Sequence, residues 1–427
     1  MKSRANALAR IAQWMGLGAT VGVACGVASA IFLLLLEQAT KFRESHEYVV
    51  YTLPIAGLVL GAIYERWGKP IKGGNNLVLD TIHENSPQIP FRMAPMVLVG
   101  TVLTHVFGGS AGREGTAVQM GASLADEIAH RLRVKSDMRR RLLAAGIAGG
   151  FGSVFGTPIA GMLFGMEVVS VGRIEYDALL PCLVAALVGD VVTRALGVVH
   201  TSYPHIAETP LTPLVFGKLC IMGVAMALAT AAFVELTHGL KRTLETKIAR
   251  LPVRMFFGGL GLVAMWKLLG TSDYLGLGVP MIVRSFTDPH LPWFAFAAKL
   301  VFTAVTLSAG FLGGEVTPLF FVGATLGSIL ARALGLPLEL GAGVGLAAVF
   351  GAAANTPVAL SIMAVELLGI AILPHVVLVV ALAYLLTGHR SIYPAQRLYR
   401  LKHGGLLHRP IALRDYRESP AEDHAPR

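Results

Sequence analysis

At 427 residues, with 54% hydrophobic and only 15% charged side chains and a mean hydropathy of +0.63, the chain is far more apolar than soluble globular domains, which carry about 25% charged residues. That composition excludes a soluble fold and implies a multi-span membrane protein. The net charge of +10 does not point to nucleic acid, because the basic residues sit in short flanks beside apolar segments. Lys2, Arg4 and Arg10 precede the first such segment. Arg131, Arg133 and Lys135 form one basic loop with Arg139, Arg140 and Arg141. Lys241, Arg242, Lys247, Arg250 and Arg254 form another, and the tail after Arg390 is basic again. By the excess of Lys and Arg in cytoplasmic loops, both termini and these loops are expected in the cytoplasm.

In chain order, the first apolar run, Ile11–Leu36, follows basic residues and contains Ala28-Ser29-Ala30, as a signal peptide would. It is longer than the about 7 to 15 residues of a signal-peptide apolar region, so an uncleaved first span is expected. Further apolar segments run over Tyr51–Ile63, Met93–Val106, Thr116–Ile128, Leu142–Phe151, Pro158–Val171, Ala178–Leu196 and Leu211–Leu240. They continue over Met255–Leu269, Pro292–Ser308, Thr317–Leu334, Gly341–Val349, Pro357–Ile370 and Leu373–Leu386. Many fall short of the ~20 residues that a perpendicular span requires. Short apolar helices ending in Gly, Pro or Asn imply broken helices that meet at membrane depth, where protein or a water-filled cavity must surround the loose backbone. The 48 glycines, well above the usual ~7%, fit close helix packing. The tail, residues 404–427, is polar and its end is expected to be disordered. Cys25, Cys182 and Cys220 lie in apolar stretches without CxxC spacing; structural thiols are expected, with no metal site and no disulfide framework.

Gly112-Arg113-Glu114-Gly115-Thr116 places an ionisable pair between glycines in this apolar context. A charge at membrane depth is expensive and marks a functional site by default. The glycines let the backbone leave helical geometry. A helix starting at Thr116 then presents free N–H groups to the turn, the outline of an anion site.

The chain also repeats itself. Phe151-Gly152-Ser153-Val154-Phe155-Gly156-Thr157-Pro158 with Glu167 downstream matches Phe350-Gly351-Ala352-Ala353-Ala354-Asn355-Thr356-Pro357 with Glu366 downstream, at an offset of 199 residues. Gly112 to Thr116 aligns with Gly313-Gly314-Glu315-Val316-Thr317 at an offset of 201. Two repeat halves are expected, roughly 11–200 and 211–396. Duplicated halves in transporters place the substrate at their interface near the midplane, with helix N-termini aimed at anionic groups.

These two motifs, together with Gly73-Gly74-Asn75-Asn76-Leu77 and Tyr393-Pro394, resemble the four ion-binding stretches of the CLC chloride channel and transporter family, over nearly the whole chain. The resemblance implies an all-α integral membrane protein: an inverted-repeat bundle of many tilted, partly broken helices, assembled as a homodimer with one pore per subunit. Chloride-type members usually have Gly-Ser-Gly-Ile-Pro where Asn75 stands here, a Pro where Thr116 stands, and Ile and Phe where Glu315 and Val316 stand. These departures resemble the fluoride-exporting branch, which exchanges fluoride for protons. Many chloride/proton exchangers carry a second proton glutamate just after the Glu167 position; here that residue is Val168.

Fluoride is small and strongly hydrated, so a selective site must replace stripped water with short, strong hydrogen bonds. Asn75 offers an amide, Tyr393 and Thr317 offer hydroxyls, and the backbone around Gly115, Thr116, Val316 and Thr317 offers N–H groups at helix starts. The resemblance implies that Glu114 is the gate: ionised it occupies the anion site, protonated it swings out carrying a proton. Its bland alternative is a structural carboxylate paired with Arg113. Glu315 is implied in selectivity or coupling, Glu167 and Glu366 read as structural, and His105 as a packed polar residue. The expected activity is fluoride/proton antiport in a prokaryotic plasma membrane. The alternative is a chloride-type member of the same fold, a passive anion channel or a chloride/proton exchanger. The expected partners are fluoride or chloride, protons, lipid and a second subunit. No HExxH, metal-spaced Asp pair or GxSxG occurs in the apolar segments, so neither an enzyme nor a cofactor is expected.

Overall fold

Proline and glycine punctuate the helices where the chain must turn at depth. A computed structural model describes residues 2–84 and 88–418. The helices, in chain order, begin with α1 (Lys2–Ser45), α2 (Leu53–Trp67), α3 (Asn75–Glu84), α4 (Met93–Val106), α5 (Glu114–Arg131), α6 (Ser136–Phe155), α7 (Pro158–Glu167) and α8 (Leu179–Ala195). They continue with α9 (Pro213–Lys247), α10 (Leu251–Leu269), α11 (Val279–Arg284), α12 (Ala295–Ala309), α13 (Val316–Leu334), α14 (Leu338–Ala354), α15 (Pro357–Leu368), α16 (Leu373–Leu386) and α17 (Leu413–Glu418). A small sheet has the order β1 (Ser170–Val171), β2 (Arg397–Arg400), β3 (Leu406–Ala412), with β1 parallel to β2 and β2 antiparallel to β3.

Every apolar segment expected from the sequence overlaps a helix, and Met93–Val106 is α4 from end to end. Among the described residues, six helices or helix runs are long and apolar enough to cross a membrane, whereas α4, α12, α14 and α15 are short apolar helices. Ala28-Ser29-Ala30 lies inside the continuous α1, where the Ser29 hydroxyl meets that of Ser153 at 2.7 Å. The three cysteines are free thiols. The expected disorder at the end of the tail concerns residues 419–427, which lie outside the described residues; residues 406–418 form β3 and α17.

The two repeat elements fold alike. Gly156 ends α6 in the left-handed conformation and Pro158 starts α7; Asn355 ends α14 in the same conformation and Pro357 starts α15. Asn is the residue besides Gly that takes this cap readily, and Pro at a helix start forfeits only an N–H without an intrahelical partner. Glycine lets the paired helices touch at the backbone. A Cβ on Gly121 of α5 would lie 2.2 Å from the Gly146 carbonyl oxygen of α6, and one on Gly323 of α13 would lie 2.1 Å from that of Gly345 on α14.

Glu167 and Glu366 link the copies. The Glu167 carboxylate, at the end of α7, accepts from the N–H groups of Val358 (3.1 Å) and Ala359 (2.8 Å) at the start of α15. The Glu366 carboxylate, near the end of α15, accepts from Ile159 (3.0 Å) and Ala160 (2.7 Å) at the start of α7. Each acid supplies the partners that the other helix's N-terminus lacks, so α7 and α15 run antiparallel.

Candidate functional site

The glycine motifs of the two copies form one contact. Gly112 N–H donates to the Gly314 carbonyl at 2.6 Å, and Gly314 N–H donates back at 2.8 Å, an isolated antiparallel bridge. A Cβ on Gly314 would sit 2.7 Å from the Gly115 nitrogen, so a side chain there would force the strands apart. From this bridge α5 and α13 start side by side, and their free N–H groups share one small volume. The approach turn is pinned from α12, where the Thr306 hydroxyl accepts from Ser110 N–H at 3.0 Å and Thr303 Oγ1 lies 3.0 Å from Ser110 Oγ.

Glu114 fills that volume and is fully buried. Its carboxylate accepts from the Thr317 N–H (3.1 Å), from the Arg113 N–H (3.1 Å) and from the Thr317 hydroxyl, which stands 2.6 Å from both oxygens. A hydroxyl has one proton, so it is shared between the two oxygens. The Arg113 Nε lies 3.4 Å from the same carboxylate. The donor set spans both copies of the motif: Glu114 comes from the first and Thr317 from the second. Thr116 is buried beside it, with its hydroxyl engaged by that of Thr101 at 2.7 Å. His105 is buried too, with one ring nitrogen 2.8 Å from the Thr101 carbonyl and the other 3.0 Å from that of Ala111, a packed polar residue behind the turn.

A vestibule of about 790 Å³ reaches this region from the side of the second basic loop. Asn75, Thr116, Glu315 and Tyr393 line its inner part, and Lys72, Lys241, Arg242, Arg254 and Arg414 line it together with Glu235 and Glu245. Asn75 is the first residue of α3, and Glu315 immediately precedes α13. Both face Gly115: a Cβ there would lie 3.2 Å from Asn75 Nδ2 and 3.8 Å from Glu315 Oε2. The Asn75 Oδ1 is buried and accepts no hydrogen bond from the described residues. Gly115 therefore separates a deep site, Glu114 with Thr317, from a cluster open to the vestibule, Asn75 with Glu315 and Tyr393. Val316 is buried at the first position of α13, beside Thr317.

From its place after Gly388-His389-Arg390-Ser391-Ile392 and before Pro394, Tyr393 is expected at the start of the last helical segment. It does not open a last helix; it sits in a turn that leads into β2. The chain stays extended because Arg397–Leu398 find strand partners on both sides, Ser170–Val171 and Ile411–Ala412. Gln396 holds the turn from within. Its amide nitrogen donates to the carbonyls of Val168 and Ala354, both at 2.8 Å, and its oxygen accepts from Ser391 Oγ at 2.6 Å and Asn355 Nδ2 at 3.0 Å. Behind Tyr393 and Asn75 lies a gap of about 10 Å³ lined by Val78, Leu79, Val118, Ile147, Phe164 and Val168. That is at the lower limit for one water, and apart from Asn75 and Tyr393 its walls are apolar.

The structure thus brings together Asn75, Glu114, Gly115, Thr116, Glu315, Val316, Thr317 and Tyr393. Sequence reasoning missed Gln119, which lines the vestibule one turn along α5 and lies next to Gly74. It also missed Gln396 and Asn76, whose Oδ1 accepts from the Ala395 N–H at 3.1 Å. The available signal for Gln119 was a lone amide four residues after Gly115, on the same helical face.

Comparison with known proteins gives the family and the fold. The family model described as voltage gated chloride channel matches residues 56–388. A chloride/fluoride channel protein of Pseudomonas syringae pv. tomato is 47% identical over 97% of this chain and 93% of its own length. The crystal structure of a CLC-type fluoride/proton antiporter superposes with a TM-score of 0.88 at 38% identity, covering 91% of this chain and 98% of that one. A slow cyanobacterial Cl-/H+ antiporter shares the fold with a TM-score of 0.77 at 16% identity, over 88% of this chain and 94% of that one. On the match of the family model and the close relatives, the chain is a multi-pass membrane protein that belongs to the CLC, or voltage gated chloride channel, family.

Proposed function

We propose that this protein exchanges fluoride for protons and exports fluoride from the cell, with Glu114 as the gate. The observation that carries this reading is the Glu114 carboxylate seated at the joined N-termini of α5 and α13, held by the Thr317 hydroxyl and N–H and by the Arg113 N–H. Those donors suit a small anion as well as they suit a carboxylate oxygen. Ionised, Glu114 competes for them and excludes fluoride. Protonated, it loses most of its attraction to them, leaves with its proton, and fluoride takes the vacated donors. The exchange of one anion for one proton follows from the two species sharing one set of hydrogen bonds.

In this reading fluoride arrives through the basic vestibule and meets the Asn75 amide and the Tyr393 hydroxyl before the N–H groups of Gly115, Thr116 and Val316. Glu315 tunes selectivity or coupling from the symmetry-related place. In this reading the proton does not use the route that a glutamate at position 168 would give, because Val168 has no group that can carry one. The names of the relatives support fluoride: one is a chloride/fluoride channel protein and the other a fluoride/proton antiporter. The basic loops support a vestibule and two termini on the cytoplasmic side of a bacterial inner membrane. The working unit is a homodimer, each chain folded as two repeat halves, about 11–200 and 211–396, with a cytoplasmic tail from 404 to 427.

A passive conduction reading takes its support from the word channel in the Pseudomonas relative's name. Flux from liposomes holding the purified protein separates the two. Antiport predicts uphill fluoride movement driven by an imposed proton gradient, chloride flux at least about tenfold slower, and loss of proton coupling in Glu114→Gln. Equal fluoride and chloride fluxes with no response to the gradient would establish passive conduction instead.

A further inference from the structure

Asn75 and Tyr393 lie 318 positions apart in the sequence, yet a set of contacts outside the site ties their segments together. On α3, Asn76, Asp80 and Glu84 recur every four residues and so share one face. Each engages the C-terminal segment. Asn76 Oδ1 accepts from the Ala395 N–H at 3.1 Å, two residues beyond Tyr393. Asp80 takes both terminal nitrogens of Arg414, each at 3.0 Å, a bidentate fork. Glu84 pairs with Arg397. The other end of this bridge is as firmly attached: the Arg414 N–H donates to the Pro394 carbonyl and the Leu413 N–H to the Gln396 carbonyl, both at 3.0 Å. Arg414 is thus joined through its backbone to the residue next to Tyr393 and through its guanidinium to the helix that Asn75 begins.

Exposed ion pairs add little to overall stability, but a planar fork fixes orientation as well as distance. We propose that Asp80 and Arg414, assisted by Glu84 and Arg397, are positioning residues: the C-terminal hairpin is a clasp that sets the spacing between the Asn75 amide and the Tyr393 ring. This rests on the reading of those two groups as anion ligands. The consequence is specific to ion size. Fluoride needs short hydrogen bonds on every side to offset its lost water, so a loosened clasp removes a donor from fluoride while leaving room for chloride.

The test measures fluoride and chloride flux from liposomes for wild type, Asp80→Asn, Arg414→Gln and the charge-exchanged pair Asp80→Arg with Arg414→Asp. Hydrogen exchange of the amides in 75–84 and 393–397 is followed in parallel. The clasp predicts a several-fold fall in the fluoride-to-chloride ratio in each single variant, faster exchange confined to those two segments, and recovery of both in the exchanged pair. Arg414→Lys, which keeps the charge without the fork, is the milder variant should Arg414→Gln fail to fold, and it is expected to fall between wild type and Asp80→Asn. Single variants with unchanged ratio and unchanged exchange overturn the proposal, as does slower transport of both ions in equal proportion. A wild-type protein that moves no fluoride overturns the transport reading instead, and the exchange result then decides the clasp alone.

Discussion

Thr317 gives Glu114 two of its donors, and the hydroxyl is the one that a substitution can remove without touching the backbone. Thr317→Val keeps the shape, but a hydrogen bond to a charged group is worth about 1.5–3 kcal/mol. We expect fluoride turnover to fall by about tenfold or more in Thr317→Val, and Thr317→Ser, which keeps the hydroxyl, to retain most of it. A fluoride-electrode efflux assay on liposomes reads the difference; full activity in the valine variant would remove the hydroxyl from the pathway. At this scale the sequence was legible where a motif broke the apolar pattern. Glu114, Glu315 and Thr317 stand out because charge and glycine interrupt hydrophobic runs. Gln119 and Gln396 do not, since an isolated amide carries no mark of the cavity or the carbonyls that it faces. Asn76 was hidden by its neighbour Asn75, because two adjacent amides look alike until the helix start assigns them to different faces.

Helices in this chain are fixed by how closely they approach. Gly323 against Gly345 and Gly121 against Gly146 leave no volume for a methyl group, and what meets each missing Cβ is backbone, which cannot swing aside. Gly323→Ala is therefore expected to destabilise the α13–α14 pair by about 1–3 kcal/mol, the range for overpacking. Thermal unfolding in detergent measures it, with Gly217→Ala, whose Cβ would meet nothing within 4 Å, as the control that should unfold near wild type. The long and the short apolar helices were both legible from hydropathy and from the Thr-Pro starts at Pro158 and Pro357. What escaped were α3, α11, α17 and the sheet. Each is short, and α3 and α17 are largely polar, so their order comes from partners distant in sequence, such as Arg397 and Ala412 pairing across the hairpin. Local propensity cannot encode such partners.

At the scale of the molecule, a vestibule with more basic than acidic side chains lies next to the buried Glu114 carboxylate. The vestibule carries Lys72, Lys241, Arg242, Arg254 and Arg414 against Glu235, Glu245 and Glu315, and such a surplus raises the local anion concentration in a way that salt suppresses. Neutralising Lys241 and Arg242 together to Gln should slow fluoride entry from that side at low ionic strength and leave it near wild type at high salt. Initial rates at two salt concentrations check this, and an equal slowing at both would point to packing rather than charge. The repeat that made this architecture legible also has a geometric consequence. Glu167 binds the start of α15 as Glu366 binds the start of α7, so exchanging the two helices leaves the contact unchanged. It is an isologous contact folded into one chain, the self-complementary kind through which two identical half-length chains would join about a two-fold axis. Within a single chain, the two acids thus form the kind of seam by which a symmetric dimer would be held.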